Sequence, residues 1–281
     1  MWNQARLLKL DDEDFPSASS LWDSPMARFV SCSPTAIDAD LATSQTPSPQ
    51  LRWQTVTTPF EADKCWLLDA ERAWFACPSS ENTDLTLLQS AWPLLSDAEA
   101  QAAVAAVALA TWHATSGFCG VCGALSQVTD GGWSRLCPVC HTQHFPRMDP
   151  AVIVALTDGD DRLLLGSQST WGRRSSVFAG FVMAGESLEQ AIHREVAEET
   201  GLAVTDIKYF GSQPWPFPRS LMLAFTAFVD NPEALHIDHN EIDRARWFTR
   251  DELRAAIAQG DLELPPSISI AHKMITGWFD R

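Results

Sequence analysis

Basic residues are scarce in this chain. Lys and Arg total 20 against 36 Asp and Glu, giving a formal charge of -16 over 281 residues. Sequence-independent adhesion to nucleic acid or to an anionic membrane needs clustered Lys and Arg, so neither is expected. Long apolar runs are missing too: the longest, residues 102–112, is Ala-rich and too short to cross a bilayer. The opening stretch MWNQARLLKLDDEDFP lacks the uninterrupted apolar region of a secretory signal. Cysteine usage is not that of a disulfide scaffold. Four of the 7 cysteines fall in two CxxC pairs, while Cys32, Cys65 and Cys77 have no ligand spacing and read as buried thiols. A reducing, cytoplasmic setting is the expectation.

What is present suffices for a large core, with 46% apolar residues and 12 tryptophans. Residues 1–95 carry short apolar runs at 65–68 and 73–76 and a loop-like stretch, TSQTPSPQ, at 43–50. They read as a small β-rich domain without a catalytic constellation. Residues 96–113 are Ala-rich with no Gly or Pro, Ser96 stands at a cap position, and acidic residues fill the first turn, which predicts a connecting helix. Residues 114–145 contain Cys119-Gly-Val-Cys122 and, 14 residues on, Cys137-Pro-Val-Cys140. Four soft thiolates at that spacing suit one tetrahedral Zn²⁺ with no open position, hence a structural metal. Only Arg135 lies between the knuckles, so this ribbon is not expected to bind nucleic acid. In residues 146–281, apolar runs at 151–156, 162–166, 203–210, 221–229 and 245–248 alternate with helical patterns near 251–258 and 268–279. That order predicts an α/β/α sandwich around a mixed sheet.

The densest chemical signal is residues 180–202, GFVMAGESLEQAIHREVAEETGL. Ser187 and Gln190 form a capping box, and Leu188, Ala191, Ile192 and Val196 make an apolar stripe. Gly201 supplies a left-handed end. On this predicted helix Glu195, Glu198 and Glu199 stand at i, i+3 and i+4, where like charges repel. A hard divalent cation removes the penalty, since Mg²⁺ takes oxygen ligands and bridges carboxylates to phosphates. Arg194, four residues before Glu198, is placed to hold part of the cluster. A second motif, SQPWPFPRS at 212–220, carries Pro at 214, 216 and 218. It reads as a stiff loop, excluded from a central strand, able to present Trp215 or Phe217 to a flat ring.

The first motif resembles the signature GX5EX7REUXEEXGU (U apolar) of the Nudix hydrolases, matched by Gly180, Glu186, Arg194, Glu195, Val196, Glu198, Glu199, Gly201 and Leu202. With the four-cysteine ribbon before it and SQPWPFPRS after it, the chain resembles the NADH pyrophosphatase branch of that family. The resemblance implies Mg²⁺- or Mn²⁺-dependent hydrolysis of the pyrophosphate bond of NAD(H) to NMN(H) and AMP, extended to NAD caps on RNA 5′ ends. It implies metal ligation by Glu195, Glu198, Glu199, Glu241 and the Ala179 carbonyl, with Glu199 as general base and Glu241 as second choice. It implies substrate contacts from Gln213, Pro214, Trp215, Pro216, Phe217, Pro218, Arg219 and Ser220, from the backbone of Ala271, and from Phe145 and Phe181 around the nicotinamide. Gly132 falls where some relatives carry an acidic residue. A homodimer with sites built from both chains is also implied. Two other readings compete: a Nudix hydrolase of ADP-ribose or nucleoside triphosphates, and a non-hydrolytic dinucleotide sensor. SQPWPFPRS argues against the first, and the intact box glutamates against the second.

Overall fold

The computed structural model describes residues 17–41, 48–61, 63–79, 85–237, 239 and 241–280. The N-terminal stretch and most of the loop at 43–50 therefore lie outside the described residues. The chain divides into two compact units. One takes the described residues up to Arg147 together with Pro216–Arg219; the other takes Met148–Trp215 and the residues from Ser220 onward.

In the first unit a sheet is centred on Arg28–Cys32, which lies parallel to Trp74–Pro78 and antiparallel to Ala36–Ile37 and Gln54–Thr55. Trp66–Asp69 pairs antiparallel with Trp74–Pro78 at the edge. Trp22, Leu67 and Phe75 pack on one face of this sheet. The predicted helix is present as Asp97–Thr115, buried along most of its length by Ala, Val, Leu and Trp112. Ser96 stands at its N-cap, but the hydroxyl donates to the Glu99 carboxylate (2.9 Å) and not to a backbone partner. Glu99 is used further, accepting from Leu51 N (3.1 Å) and Trp53 Nε1 (3.3 Å).

The cysteines correct one expectation. Trp66 and Ala76 are partners across the edge pair, which sets Cys65 opposite Cys77, and these two form a disulfide. Opposed positions on antiparallel strands meet the distance a disulfide needs, a relation that spacing along the chain does not display. The inference of a reducing compartment from cysteine usage therefore loses its basis. Cys32 does remain a buried thiol, and burial pushes its pKa up to about 12.

The ribbon belongs to the same unit. Its three strands run in the order Gln143–His144, Ser134–Leu136, Gln127–Thr129. The two knuckles are built alike. Cys119 N bonds Ala124 O and Gly123 N bonds Cys119 O; Cys137 N bonds Thr142 O and His141 N bonds Cys137 O. Gly123 and His141, the residues just past each CxxC, both adopt positive φ. The Sγ atoms of Cys119, Cys122, Cys137 and Cys140 lie within 4.8 Å of one another, a structural zinc site by donor type and spacing. His144 Nε2 approaches Cys119 Sγ at 3.2 Å, a second contact on one ligand.

Gly132 docks the ribbon on the sheet. Its φ is +101°, and a Cβ there would fall 2.5 Å from Trp66 Cδ1, so no acidic side chain fits at this position. Its carbonyl accepts from His113 Nε2 at 2.9 Å, leaving Nδ1 to accept from Arg135 Nη1 at 3.0 Å. The imidazole is thus held neutral. It also stacks on Trp66 at 4.6 Å. Burial, reinforced by the Arg135 charge and opposed by the Gly132 bond, pushes the pKa of His113 from 6.5 down to about 4.

The second unit is a mixed sheet covered on both faces. Its strands are β1 (Asp149–Asp158), β2 (Leu163–Ser167), β3 (Phe178–Phe181), β4 (Thr205–Trp215), β5 (Ser220–Val229) and β6 (Arg244–Phe248). The order is β4-β5-β1-β2-β6, with β3 also pairing β1. β1 lies parallel to β5 and antiparallel to β2 and β3. Alternation along β1 feeds two cores. Val152, Val154 and Leu156 pack under helix α1 (Leu188–Thr200) with Ile192 and Val196. Ile153 and Ala155 pack on the other face with Leu253 of α2 (Arg250–Gln259) and Met274 and Ile275 of α3 (Ile270–Phe279). The predicted sandwich is what forms. Among the described residues no helix is long and apolar enough to cross a membrane.

His113 gives the first unit an acid-sensitive stability. With a folded pKa near 4 and an unfolded value of 6.5, the unfolded chain binds more protons between those limits, so stability is full above pH 6.5 and declines as pH falls toward 4. The decline amounts to at most about 3 kcal/mol, reduced by solvent screening of a half-buried ring. Urea midpoints of the first unit at pH 7.5 and 5 should show this slope in the wild type and a flatter one in His113→Gln; equal slopes would contradict it.

Candidate active site

Helix α1 begins and ends as its sequence dictates. Ser187 accepts from Gln190 N, the Gln190 side chain returns the bond to Ser187 N, and Gly201 closes the helix at φ 68°. Its inward face is not purely apolar, because Glu195 and Glu199 are buried beside Ile192 and Val196. Glu195 lies over β3. A Cβ on Gly180 would stand 1.9 Å from Glu195 Cδ, so only glycine lets this carboxylate settle there. Ala179, the next residue along β3, opposes Ile153 of β1.

Arg194 organises the cluster. Its Nε and Nη2 hold Glu186 at 2.6 and 2.9 Å, its Nη1 bonds Glu195 (2.7 Å) and Glu198 (3.0 Å), and its Nη2 also bonds Phe181 O (2.9 Å). That uses all five guanidinium donors. Beside Arg194, and with a further bond from Met183 N, the Glu186 carboxyl is held down at about 2. The side chains of Glu195, Glu198 and Glu199 do not crowd one edge equally: Glu198 is 58% exposed and turns to Arg194.

Glu199 is left without such relief. Its Oε2 is buried with no hydrogen-bond partner. Burial first, then repulsion from Glu195, Glu241 and Glu198, raises its pKa from 4.5 to about 8. Glu241, from the segment before β6, is exposed, yet its charge acts on Glu199. Hard oxygen donors, one of them orphaned and buried, are the type a divalent cation such as Mg²⁺ takes. Among the described residues, however, only the four ribbon cysteines lie close enough together to hold a metal as they stand.

The proline–aromatic motif is a hairpin, not the loop its prolines predict. Gln213, Pro214 and Trp215 pair with Met222, Leu221 and Ser220, and only Pro216–Arg219 form the turn. Pro214 is tolerated because β4 is the sheet's edge strand. The turn residues group with the first unit, where Pro216, Phe217 and Pro218 line a cavity of about 400 Å³ with Pro34, Leu87 and Thr111.

Gln213 departs most from expectation. It is fully buried, its Nε2 donates to Ile268 O (2.7 Å), and its Oε1 accepts from Ile270 N (2.6 Å). At 0% exposure its amide is closed off from an incoming substrate in this structure. The side chain instead fixes the start of α3, where Ser269 Oγ caps His272 N and Ser269 O accepts from Lys273 N. Ala271 N has no hydrogen-bond partner among the described residues. Two candidate aromatics stand open: Phe181 is 58% exposed on the second unit and Phe145 64% exposed on the first.

Residues 147–268 match the model of the NUDIX domain, and residues 114–145 match that of the NADH pyrophosphatase zinc ribbon domain. Residues 147–268 thus form a NUDIX domain, preceded by that zinc ribbon domain. The chain is 47% identical over 194 residues to the NAD-capped RNA hydrolase NudC of Mycobacterium bovis (strain BCG / Pasteur 1173P2), covering 66% of this chain and 62% of that protein. The protein of the same name from Mycobacterium tuberculosis (strain ATCC 25618 / H37Rv) is 46% identical over the same length and shares. The human NAD-capped RNA hydrolase NUDT12 is 36% identical over 197 residues, 66% of this chain and 42% of that protein. The match thus spans less than two thirds of each relative's length.

If Gln213 works by holding α3, then Gln213→Leu strands two buried backbone groups, each worth about 1–3 kcal/mol. Denaturant unfolding of the second unit should show that loss. A side chain that served only as a substrate contact would leave stability unchanged.

Proposed function

We propose that the chain hydrolyses the pyrophosphate bond of NAD(H) to NMN(H) and AMP, and removes NAD caps from RNA 5′ ends by the same chemistry. The observation that carries this is the buried, partnerless Oε2 of Glu199 amid carboxylates that Arg194 and Gly180 hold in place. The hairpin motif, the ribbon and the names of the relatives support the dinucleotide as substrate.

Glu195, Glu198, Glu199, Glu241 and the Ala179 carbonyl would hold Mg²⁺ or Mn²⁺. A cation bound there supplies charge neutralisation for the diphosphate and acidifies an attacking water. Arg194 takes no part in the reaction; it keeps Glu195 and Glu198 from splaying apart before substrate arrives. Glu199, deprotonated when a cation completes the cluster, would accept the proton as water oxygen joins phosphorus and the bridging P–O bond breaks. Positioning and charge stabilisation carry most of the rate, since phosphoryl transfer leaves side chains little covalent work. Phe181 would stack on the nicotinamide, and Ala271 N would donate to substrate. Pro214, Trp215, Pro216, Phe217, Pro218, Arg219 and Ser220 would form the dinucleotide-binding hairpin, with Gln213 supporting it from below. A homodimer is the assembly we propose.

Incubation with NADH and MnCl₂ should yield AMP and NMNH in equal amounts, resolved by chromatography, and chelation should stop it. Glu199→Gln should cut turnover by about 10²–10⁴-fold with the fold retained. Wild-type turnover in that variant would defeat the assignment of the base, and no AMP from the wild type would defeat the reading itself.

A further inference from the structure

A groove of about 480 Å³ opens on the second unit between residues 167–175, β6 and α2. Arg173, Arg244 and Arg246 line it, in a chain where acidic side chains outnumber Lys and Arg by 36 to 20. β6 alternates: Ala245 and Trp247 turn to the α1 core and Phe248 to the α2 and α3 core, so Arg244 and Arg246 share the α2 side.

Two of the three guanidiniums are fixed. Arg173 donates to Gly260 O (2.8 Å) and to Glu263 (2.7 Å), and Arg246 bonds Glu252 (3.2 Å) while lying over the Phe248 ring. Arg244 has no hydrogen bond or ion pair among the described residues. The neighbouring carboxylate, Asp243, lies close enough for its charge to be felt but is bonded to Ser169 N. Two carboxylates share the lining. Glu252 is engaged by Thr249 N (2.9 Å) and Arg246, and Asp261 is exposed. With Glu263, three carboxylates offset the three guanidiniums, and Arg244 is the guanidinium that no carboxylate holds among the described residues. A planar, always-charged fork at the rim of a concave surface matches a phosphate better than any other common group.

The groove lies on the α2 face of the sheet and the box carboxylates on the α1 face, and the two are linked along the chain. β6 starts three residues after Glu241, and the 167–175 segment runs on into β3 and Ala179. A free dinucleotide carries only its own two phosphates, which a cation held by the box carboxylates would engage. A capped RNA brings further phosphodiesters at the 3′ side of the cap adenosine.

We infer that this groove binds a backbone phosphate of the RNA that follows a dinucleotide cap, with Arg244 as its principal contact. The inference rests on the proposed hydrolysis of NAD(H) and says how that site would tell capped RNA from the free dinucleotide. The whole-chain charge does not oppose it, because one positioned guanidinium suffices for one phosphate.

The test compares full-length wild type, Arg244→Glu and Arg244→Lys on NADH and on a short NAD-capped RNA, each at low and moderate salt with MnCl₂. Arg244→Glu should leave kcat/KM for NADH within about twofold and lower it for capped RNA by about tenfold, mainly through KM. Arg244→Lys should recover most of the loss, and the salt slope for RNA should fall by about 1 in Arg244→Glu. Parallel losses on both substrates, or none on capped RNA, would overturn the inference. Anisotropy with a labelled, uncapped RNA of the same sequence reads the groove without hydrolysis and should show weaker binding by Arg244→Glu. Equal binding there overturns the inference even if NADH is cleaved. Should the wild type fail on NADH while the anisotropy difference appears, the proposed activity falls and the groove stands. Inorganic phosphate is the control: an affinity that Arg244→Glu changes for phosphate but not for RNA assigns the groove to free phosphate and overturns the RNA reading.

Discussion

Repulsion among carboxylates is the constraint on which the second unit is built. Glu195 and Glu199 are buried one helical turn apart, Glu241 bears on Glu199 from a separate segment, and nothing among the described residues neutralises Glu199. Buried like charges of this kind are retained where an external cation completes them, because unpaired burial is otherwise strongly unfavourable. Arg194 resolves only half of the conflict. Its five donors are used on Glu186, Glu195, Glu198 and Phe181 O, and the Glu199 side is left open. The asymmetry separates a braced edge from a reactive one on a single helix.

The remaining architecture serves that edge by steric means. β3 brings Gly180 against Glu195, where any side chain would expel the carboxylate. The edge strand β4 sends Gln213 into the core, where it clamps residues 268 and 270 and so sets the start of α3. The first unit uses a comparable device, since Gly132 can lie on Trp66 only for want of a side chain. In each case a small or buried residue of a functional motif acts through the position of a neighbour.

Much of this was legible in the sequence, for identifiable reasons. Ser187, Gln190 and Gly201 announce α1 because capping is local chemistry, and the apolar stripe announces its buried face. The ribbon was legible because thiolate spacing is a direct geometric code. The misreadings share one cause: they concern partners distant along the chain. The Cys65–Cys77 disulfide follows from a strand register. Pro214 entered a strand because β4 is an edge, which no property of residues 212–220 reveals. The burial of Gln213 was not legible because its partners, the Ile268 carbonyl and the Ile270 N–H, lie 55 and 57 residues away. β3 is absent from the strands that the apolar runs predict, and with it the contact that explains Gly180.

The account stands or falls on a cation among the box carboxylates. Anomalous diffraction at the manganese edge, from crystals soaked in MnCl₂, tests it most directly. The predicted result is a peak at ligand distance from Glu199 Oε2, shared with Glu195, and its loss in Glu199→Gln. A map with no manganese beside Glu199, in crystals where the ribbon cysteines still hold their zinc, would contradict the account.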